Sequence, residues 1–134
     1  MKVFVLDTSA VVRLYVPDGP IPEGTREAIE AAWRAEAVAL APELALAEIG
    51  QVLHKKTLAG ALAREEADEI MAAVAELPIE LVGHRELISE AVTAARDHGL
   101  TVYDGLFLAL ARKQKASLIS GDERLTRAAA AAGW

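Results

Sequence analysis

The sequence predicts an α/β fold, a three-layer α/β/α sandwich with a short, mostly parallel sheet. Short apolar segments without polar alternation recur along the chain, which is typical of strands buried on both faces of a parallel sheet. Longer segments with helical periodicity separate these strands and would cover both faces. The length of 134 residues and the 53% of hydrophobic residues suit a single domain over residues 1–134.

In the first half of the chain, Pro and Gly residues define most of the element boundaries. The first strand is apolar on both faces, the helix after it ends before Pro17, and the second strand ends at Pro42. The predicted elements are a strand at 3–6, a helix at 9–16, a turn at 17–20, a helix at 23–36, a strand at 38–40 and a helix at 43–58.

The second half follows the same alternation. One helix ends before Pro78, another ends at Gly99 as a C-terminal cap, and a run of Ala forms the body of the last helix. The predicted elements are a helix at 64–76, a strand at 79–82, helices at 86–98 and 103–115, a strand at 117–120 and a helix at 123–131.

Composition excludes several classes of protein. There is no Cys, so neither a disulfide framework nor a thiolate metal site is available. No apolar run reaches the roughly 18–20 residues of a membrane span, and the N-terminal segment is too short for a signal peptide. We therefore expect a soluble cytoplasmic domain without a membrane partner. The net charge of −6 favours a basic partner, or a site that recruits cations, over a conventional basic nucleic-acid binder.

Two acidic residues directly follow predicted strands. Asp7 follows the first strand and Asp122 follows the last. Ligands of open parallel sheets bind at the carboxyl ends of the strands, so both acids are candidates for a site there. Each could instead serve as a helix N-cap, which contributes about 1 kcal/mol. For Asp122 this alternative is the stronger one, because Glu123 also suits a first helical turn.

Asp104 and Glu48 lie in apolar surroundings. Asp104 begins a helix that is apolar almost all round, and Thr101 lies at capping-box spacing before it, so a local structural role is an alternative. Glu48 lies in the middle of a helix, where no cap explains it, with Leu44 and Val52 as turn neighbours; a solvated position is the alternative. Glu43, at the start of that helix, is interpreted as a first-turn acid.

If these four acids converge, their mutual repulsion requires cations between them. Carboxylates and waters are the ligands that Mg²⁺ and Mn²⁺ prefer, so the sequence favours Mg²⁺ or Mn²⁺. Divalent metals held by clustered carboxylates activate water for in-line attack on a phosphodiester.

Four segments together resemble the PIN-domain ribonucleases, and among them the small toxins of the VapC type. The segments are 5–10 (VLDTSA), 42–53 around Glu48, 101–111 (TVYDGLFLALA), which is the most specific, and 118–125 (LISGDERL). Gly105 and Gly121 depart from the alanine common in the family at those positions, and Ser120 departs from a common threonine. The likeness covers essentially the whole chain.

The resemblance implies a metal-dependent endoribonuclease that forms a homodimer and is held inactive by a cognate antitoxin. It implies catalytic and metal-binding roles for the acids and supporting roles for two serines. The residues so assigned are Asp7, Glu48, Asp104 and Asp122 as ligands of one or two Mg²⁺ or Mn²⁺ ions, with Ser9 and Ser120 supporting them.

Basic residues are candidates for contact with RNA phosphates, although each of them could simply lie on a solvated face. Lys55 and Lys56 form one cluster. The candidates we favour are Arg112, Lys113, Lys115 and Arg124, with Arg127 on the same helix as Arg124.

The sequence allows three alternatives to a ribonuclease. A PIN-like module that binds RNA or a protein without cleavage is the main one, and four retained acids argue against it. A phosphoaspartate receiver would need adjacent acids after the first strand and a late lysine. A haloacid-dehalogenase-type phosphatase would need a second Asp where this chain has Ser9.

Overall fold

The computed structural model, which describes residues 1–131, contains one sheet of four parallel strands. The strands are β1 (Lys2–Leu6), β2 (Ala37–Pro42), β3 (Ile79–Val82) and β4 (Ser117–Ile119). Their order across the sheet is β3-β2-β1-β4, so β1 is central and pairs with both β2 and β4. The predicted α/β class with a parallel sheet is confirmed. Residues 132–134 of the predicted domain lie outside the described part of the chain.

Helices connect the strands and cover both faces of the sheet. They are α1 (Thr8–Val12), α2 (Thr25–Trp33), α3 (Leu44–Leu58), α4 (Arg64–Glu76), α5 (Ile88–His98), α6 (Val102–Gln114) and α7 (Glu123–Ala131), with a 3₁₀ turn at Arg85–Leu87. None of the helices described within residues 1–131 is long and apolar enough to cross a membrane.

Consecutive residues of β1 belong to the two sides of the core, because successive side chains of a strand point to opposite faces. Val5 packs in the cluster formed with α5, α6 and α7. Leu6 packs in the cluster formed with α1, α2, α3 and α4. In α6, every residue from Gly105 to Ala111 is buried, as its almost wholly apolar sequence predicts. The sheet is therefore the middle of three layers.

Several helix boundaries differ from the prediction. The helix predicted at 9–16 is regular only over Thr8–Val12, because the amides of Leu14 and Tyr15 then bond to carbonyls three residues back and tighten the chain. The helix predicted at 23–36 begins after Gly24, which has a φ of +90°, and ends before Ala35, which has a φ of +58°. Both left-handed residues are incompatible with a continuing right-handed helix.

Gly99 ends α5 in the left-handed conformation, as predicted, with a φ of +65°. Lys115 takes the same conformation after α6, so this helix stops one residue earlier than the prediction. The predicted helix 86–98 divides into the 3₁₀ turn and α5.

Candidate active site

A cavity of about 240 Å³ opens at the carboxyl end of β1, between α1, α3 and α6. All four acids proposed from the sequence line it, although they come from four separate segments of the chain. The residues that line the cavity are Asp7, Thr8, Ser9, Val12, Arg13, Asp18, Glu48, Val52, Asp104, Phe107 and Asp122.

Asp7 is the most buried of these acids, with 5% of its surface exposed. It caps α1, because its Oδ1 accepts a hydrogen bond from the Ala10 amide at 3.0 Å. The N-cap role and the place in the cavity thus occur in the same residue. Burial raises the pKa of Asp7, while its hydrogen bonds from Ser120, Ser9 and Ala10 lower it and the charge of Asp122 raises it further.

Two serines fix the Asp7 carboxylate from both sides. Ser9 Oγ donates to Oδ1 at 2.6 Å, and Ser120 Oγ donates to Oδ2 at 2.5 Å. The same hydroxyls accept from the amides of Gly121 and Asp122, both at 2.9 Å. The serines thereby connect the segment after β1 with the segment after β4, at the positions that the sequence assigned to supporting residues.

Glu48 reaches the cavity from the middle of α3 and is half-buried. Its Oε1 accepts a hydrogen bond from Thr8 Oγ1 at 2.8 Å. Burial raises its pKa, the Thr8 hydrogen bond lowers it, and the charges of Asp104 and Asp7 raise it further. Glu43, in contrast, is exposed at the start of α3 and does not line the cavity.

Asp104 lies in the first turn of α6, and its amide donates to the capping Thr101 Oγ1 at 3.1 Å. The predicted cap is therefore present, and the carboxylate lines the cavity as well. Burial raises the pKa of Asp104; the Thr101 hydrogen bond and the charge of Arg124 lower it, and the charge of Asp122 raises it.

Asp122 also combines a cap with a place in the cavity. Its Oδ1 accepts from the Arg124 amide at 2.9 Å and from the Leu125 amide at 3.4 Å, which satisfies the first turn of α7. Because its charge raises the pKa of both Asp7 and Asp104, it lies within electrostatic reach of both.

The chemistry of this set of oxygen donors fits a hard divalent cation such as Mg²⁺ or Mn²⁺. Within residues 1–131, however, no group of three or more acidic or His side chains is arranged so that it could hold a metal ion. The four acids nevertheless share one cavity, and the charges of neighbouring acids raise the pKa of Asp7, Glu48 and Asp104. An ion would also offset the burial and repulsion that raise these pKa values.

The basic residues proposed from the sequence divide into two groups. Arg124 lies close enough to Asp104 for its charge to lower the pKa of that acid. Arg112, Lys113 and Lys115 lie at the opposite end of α6 from Asp104. At 1.5 Å of rise per residue, Arg112 is about 12 Å along the helix axis from Asp104. Lys113 pairs there with Glu86 at 3.6 Å.

The cavity also contains Thr8, Arg13 and Asp18. From the sequence, Thr8 is expected only to help start the helix after Asp7 and to support the site, and the other two are not assigned to it. Thr8 bonds directly to Glu48, and its position next to Asp7 was the available indication. Arg13 lies one helical turn after Ser9, a spacing that places two side chains on the same side of a helix. Asp18 belongs to the following turn, where its Oδ1 accepts from Lys56 Nζ at 2.5 Å.

A protein-family model and a relative of known name both match this chain over most of its length. The family model described as PIN domain matches residues 4–131. The chain is 31% identical over 123 residues to Ribonuclease VapC3 from Pyrobaculum aerophilum, with 90% of each chain covered.

Two solved structures are similar in fold. One is Mycobacterium tuberculosis VapC20, described as a Sarcin-Ricin loop cleaving toxin, with a TM-score of 0.66, 14% identity, and coverage of 93% of this chain and 94% of that one. The other is a toxin-antitoxin complex from Klebsiella pneumoniae, with a TM-score of 0.52, 17% identity, and coverage of 88% and 83%.

Proposed function

The chain belongs to the PIN-domain family, and we propose that it is a metal-dependent endoribonuclease that acts as the toxin of a VapBC-type pair. The observation that carries this proposal is the convergence of Asp7, Glu48, Asp104 and Asp122 on one cavity. The name of the relative from Pyrobaculum aerophilum, Ribonuclease VapC3, supports RNA as the substrate. The complex from Klebsiella pneumoniae supports an antitoxin as the partner.

In this proposal the four acids hold one or two Mg²⁺ or Mn²⁺ ions. The bound metal would activate a water molecule for attack on the phosphodiester and stabilise the charge that develops on its oxygens. The protein orients the ligands: Ser9 and Ser120 fix Asp7, and Thr8 fixes Glu48. Such supporting hydrogen bonds keep a carboxylate in one orientation and tune its affinity for a metal.

The proposal includes a homodimer, which rests on the family resemblance alone. Sedimentation equilibrium would measure the mass of the protein in solution and so distinguish a dimer from a monomer.

Substitution of the acids tests the proposed activity. Asp7→Asn, Glu48→Gln and Asp104→Asn should each abolish Mn²⁺-dependent cleavage of a labelled RNA, because each removes a charged ligand without changing the size of the side chain. Glu43→Gln and Glu123→Gln are the matched controls and should remain active, since both side chains are exposed at helix starts.

Two results would count against the proposal. A wild-type protein that cleaves no RNA in Mn²⁺ or Mg²⁺ contradicts the activity itself and favours the binding module. An inactive Glu43→Gln together with an active Glu48→Gln contradicts the assignment of the acid on α3.

A further inference from the structure

Among the described residues that line the cavity, Arg13 is the only basic one. It comes directly after α1, and its guanidinium lies between two segments of backbone. Nη1 donates to the carbonyl of Pro20 at 3.3 Å and to the carbonyl of Gly121 at 3.5 Å. The first carbonyl belongs to the turn after α1, and the second to the segment between β4 and α7.

Gly121 provides the space that this guanidinium occupies. A Cβ at position 121 would overlap Arg13 Nη1 and lie 2.6 Å from Cζ, which is well inside van der Waals contact. The glycine and the guanidinium therefore lie against one another, although 108 positions of sequence separate the two residues.

Arg13 keeps its charge available for a ligand. The ion pairs described within residues 1–131 include Arg34–Glu36, Lys56–Asp18 and Lys113–Glu86, and Arg13 takes part in none of those described. The partners of its Nη1 are carbonyl oxygens, which carry no net charge. A guanidinium has five N–H donors, so it can keep these contacts and still donate to another group.

We propose that Arg13 binds a backbone phosphate of the RNA in this cavity. The inference rests on the proposed ribonuclease function and adds to it the residue that positions the substrate. Four carboxylates repel a phosphodiester until cations compensate them. A fixed guanidinium at the wall of the cavity supplies one such cation, and its fork of donors matches two phosphate oxygens.

A purely structural role is the competing explanation, because the contact with Pro20 could simply hold the turn at 17–20. The two roles differ in what they change. A phosphate contact contributes to RNA affinity and to its salt dependence, whereas a structural contact contributes to the melting temperature. Lys56 already holds the same turn through Asp18.

The test is RNA binding measured by fluorescence anisotropy over a range of salt concentrations, with a short single-stranded RNA of mixed sequence. Ca²⁺ replaces Mn²⁺ and Mg²⁺, so that a cation still compensates the carboxylates while cleavage is suppressed. Arg13→Gln should weaken binding by about tenfold or more, the effect of losing a charge-assisted hydrogen bond. It should also reduce the slope of log K against log salt by about 0.7, which corresponds to one phosphate contact on a single strand. Arg13→Lys should keep the slope and recover part of the affinity.

Arg34→Gln is the matched control, because it removes the same charge. Arg34 follows α2 and precedes the start of β2, so it lies at the opposite end of the sheet from the cavity, where it pairs with Glu36 at 3.2 Å. This variant should bind RNA as the wild type does. Gly121→Ala keeps every charge but fills the space of the guanidinium, so it should weaken binding in the wild type and add nothing to Arg13→Gln.

The inference is overturned if Arg13→Gln binds RNA with the affinity and salt slope of the wild type, or if it lowers only the melting temperature. If Arg13→Gln does not fold, Arg13→Lys decides, because it keeps the charge but loses the fork of donors; RNA affinity equal to that of the wild type in this variant overturns the inference. If the wild type cleaves RNA and Arg13→Gln binds RNA normally, the role of Arg13 is contradicted but the proposed ribonuclease function is not. A wild-type protein that neither binds nor cleaves RNA contradicts the proposed function and the inference together.

Discussion

The carboxylate of Asp7 is buried, accepts three hydrogen bonds and still has a raised pKa. Ser9, Ala10 and Ser120 are the donors, and each of these bonds favours the charged form. Burial disfavours the charged form, and its effect on the pKa is larger than that of the hydrogen bonds. Asp7 belongs to none of the ion pairs described within residues 1–131, so its buried charge lowers the stability of the metal-free protein. Such a cost is typical of a group at a functional site.

Thr8 gives the most specific prediction for a single side chain outside the acids. Thr8→Val removes the hydroxyl that donates to Glu48 at 2.8 Å and keeps the branched shape. We expect Mn²⁺ affinity or cleavage rate to fall by about 10–100-fold, the usual effect of losing a residue that orients a metal ligand. Titration with Mn²⁺ and initial cleavage rates measure it.

Thr8→Ser is the control for this prediction, because it retains the donor. It should stay close to the wild type in both measurements. A Thr8→Val protein as active as the wild type would show that Glu48 needs no fixed orientation.

Asp104 gives a prediction about pH. Burial raises its pKa in the folded protein above the ordinary value of 3.8, so the folded state holds the proton more tightly than the unfolded state. This group has no effect on stability below pH 3.8, and it destabilises the metal-free protein progressively as the pH rises through the raised pKa. Asp104→Asn should therefore melt higher than the wild type in EDTA, with a difference that grows from acid to neutral pH.

The exposed acid Glu43 provides the control, since Glu43→Gln should not reproduce this gain. Millimolar Mn²⁺ should raise the melting temperature of the wild type, because a ligand that binds only the folded state stabilises it. The same concentration of Mn²⁺ should raise the melting temperature of Asp104→Asn by a smaller amount. Equal responses of the two proteins would remove Asp104 from the metal site.

The packing of α5 against α6 depends on Gly105. A Cβ at this position would overlap the carbonyl oxygen of Ala91 and lie 3.1 Å from its carbonyl carbon. Both atoms belong to the backbone of α5, so no side chain can move aside. The close approach of the two helices therefore favours glycine at this position, and it fixes the start of α6, where Asp104 lies.

Gly105→Ala should destabilise the protein by about 1–3 kcal/mol, the usual cost of overpacking, despite the better helix propensity of alanine. Urea unfolding measures the change. Gly50→Ala is the matched control, because Gly50 lies inside α3 and a Cβ added there would meet nothing within 4 Å. That variant should gain about 0.5–1 kcal/mol. A stabilised Gly105→Ala would mean that α5 moves away easily.

The whole molecule is acidic, with a net charge of −6, and its cavity concentrates that charge. Such a field attracts a basic partner and speeds the encounter with it. We therefore propose that the antitoxin brings a basic tail to the cavity. Arg13, Arg124 and metal ions would compensate the same field for RNA.

Expression in a suitable bacterium tests the toxin role. Production of the wild type alone should stop growth, because hydrolysis of essential RNAs is catalytic and needs little protein. Asp7→Asn should remove the arrest, and co-expression of the cognate antitoxin should relieve it. Growth curves after induction measure these effects, with circular dichroism to check that Asp7→Asn is folded. Arrest that persists in a folded Asp7→Asn protein would show that toxicity does not come from the carboxylate site.

The sequence by itself determined the fold class and pointed to the four acids that line the candidate site. Apolar runs without alternation indicate parallel strands because such strands are buried on both faces. An acid that directly follows such a strand is then at the edge where ligands bind. Asp7 and Asp122 follow from this rule, while Glu48 and Asp104 were found because an acid in apolar surroundings needs an explanation.

Only the tertiary structure decided which side chains meet within the cavity. Thr8 bonds to Glu48 across 40 positions, Ser120 bonds to Asp7 across 113, and Arg13 fits against Gly121 across 108. The structure also decided how closely α5 approaches Gly105 and where α1 ends. Local patterns carry information about neighbours within a turn or a strand, because propensity and periodicity act over a few residues. Contacts between distant segments depend on how the layers pack, and packing is settled by the shapes of all the side chains together.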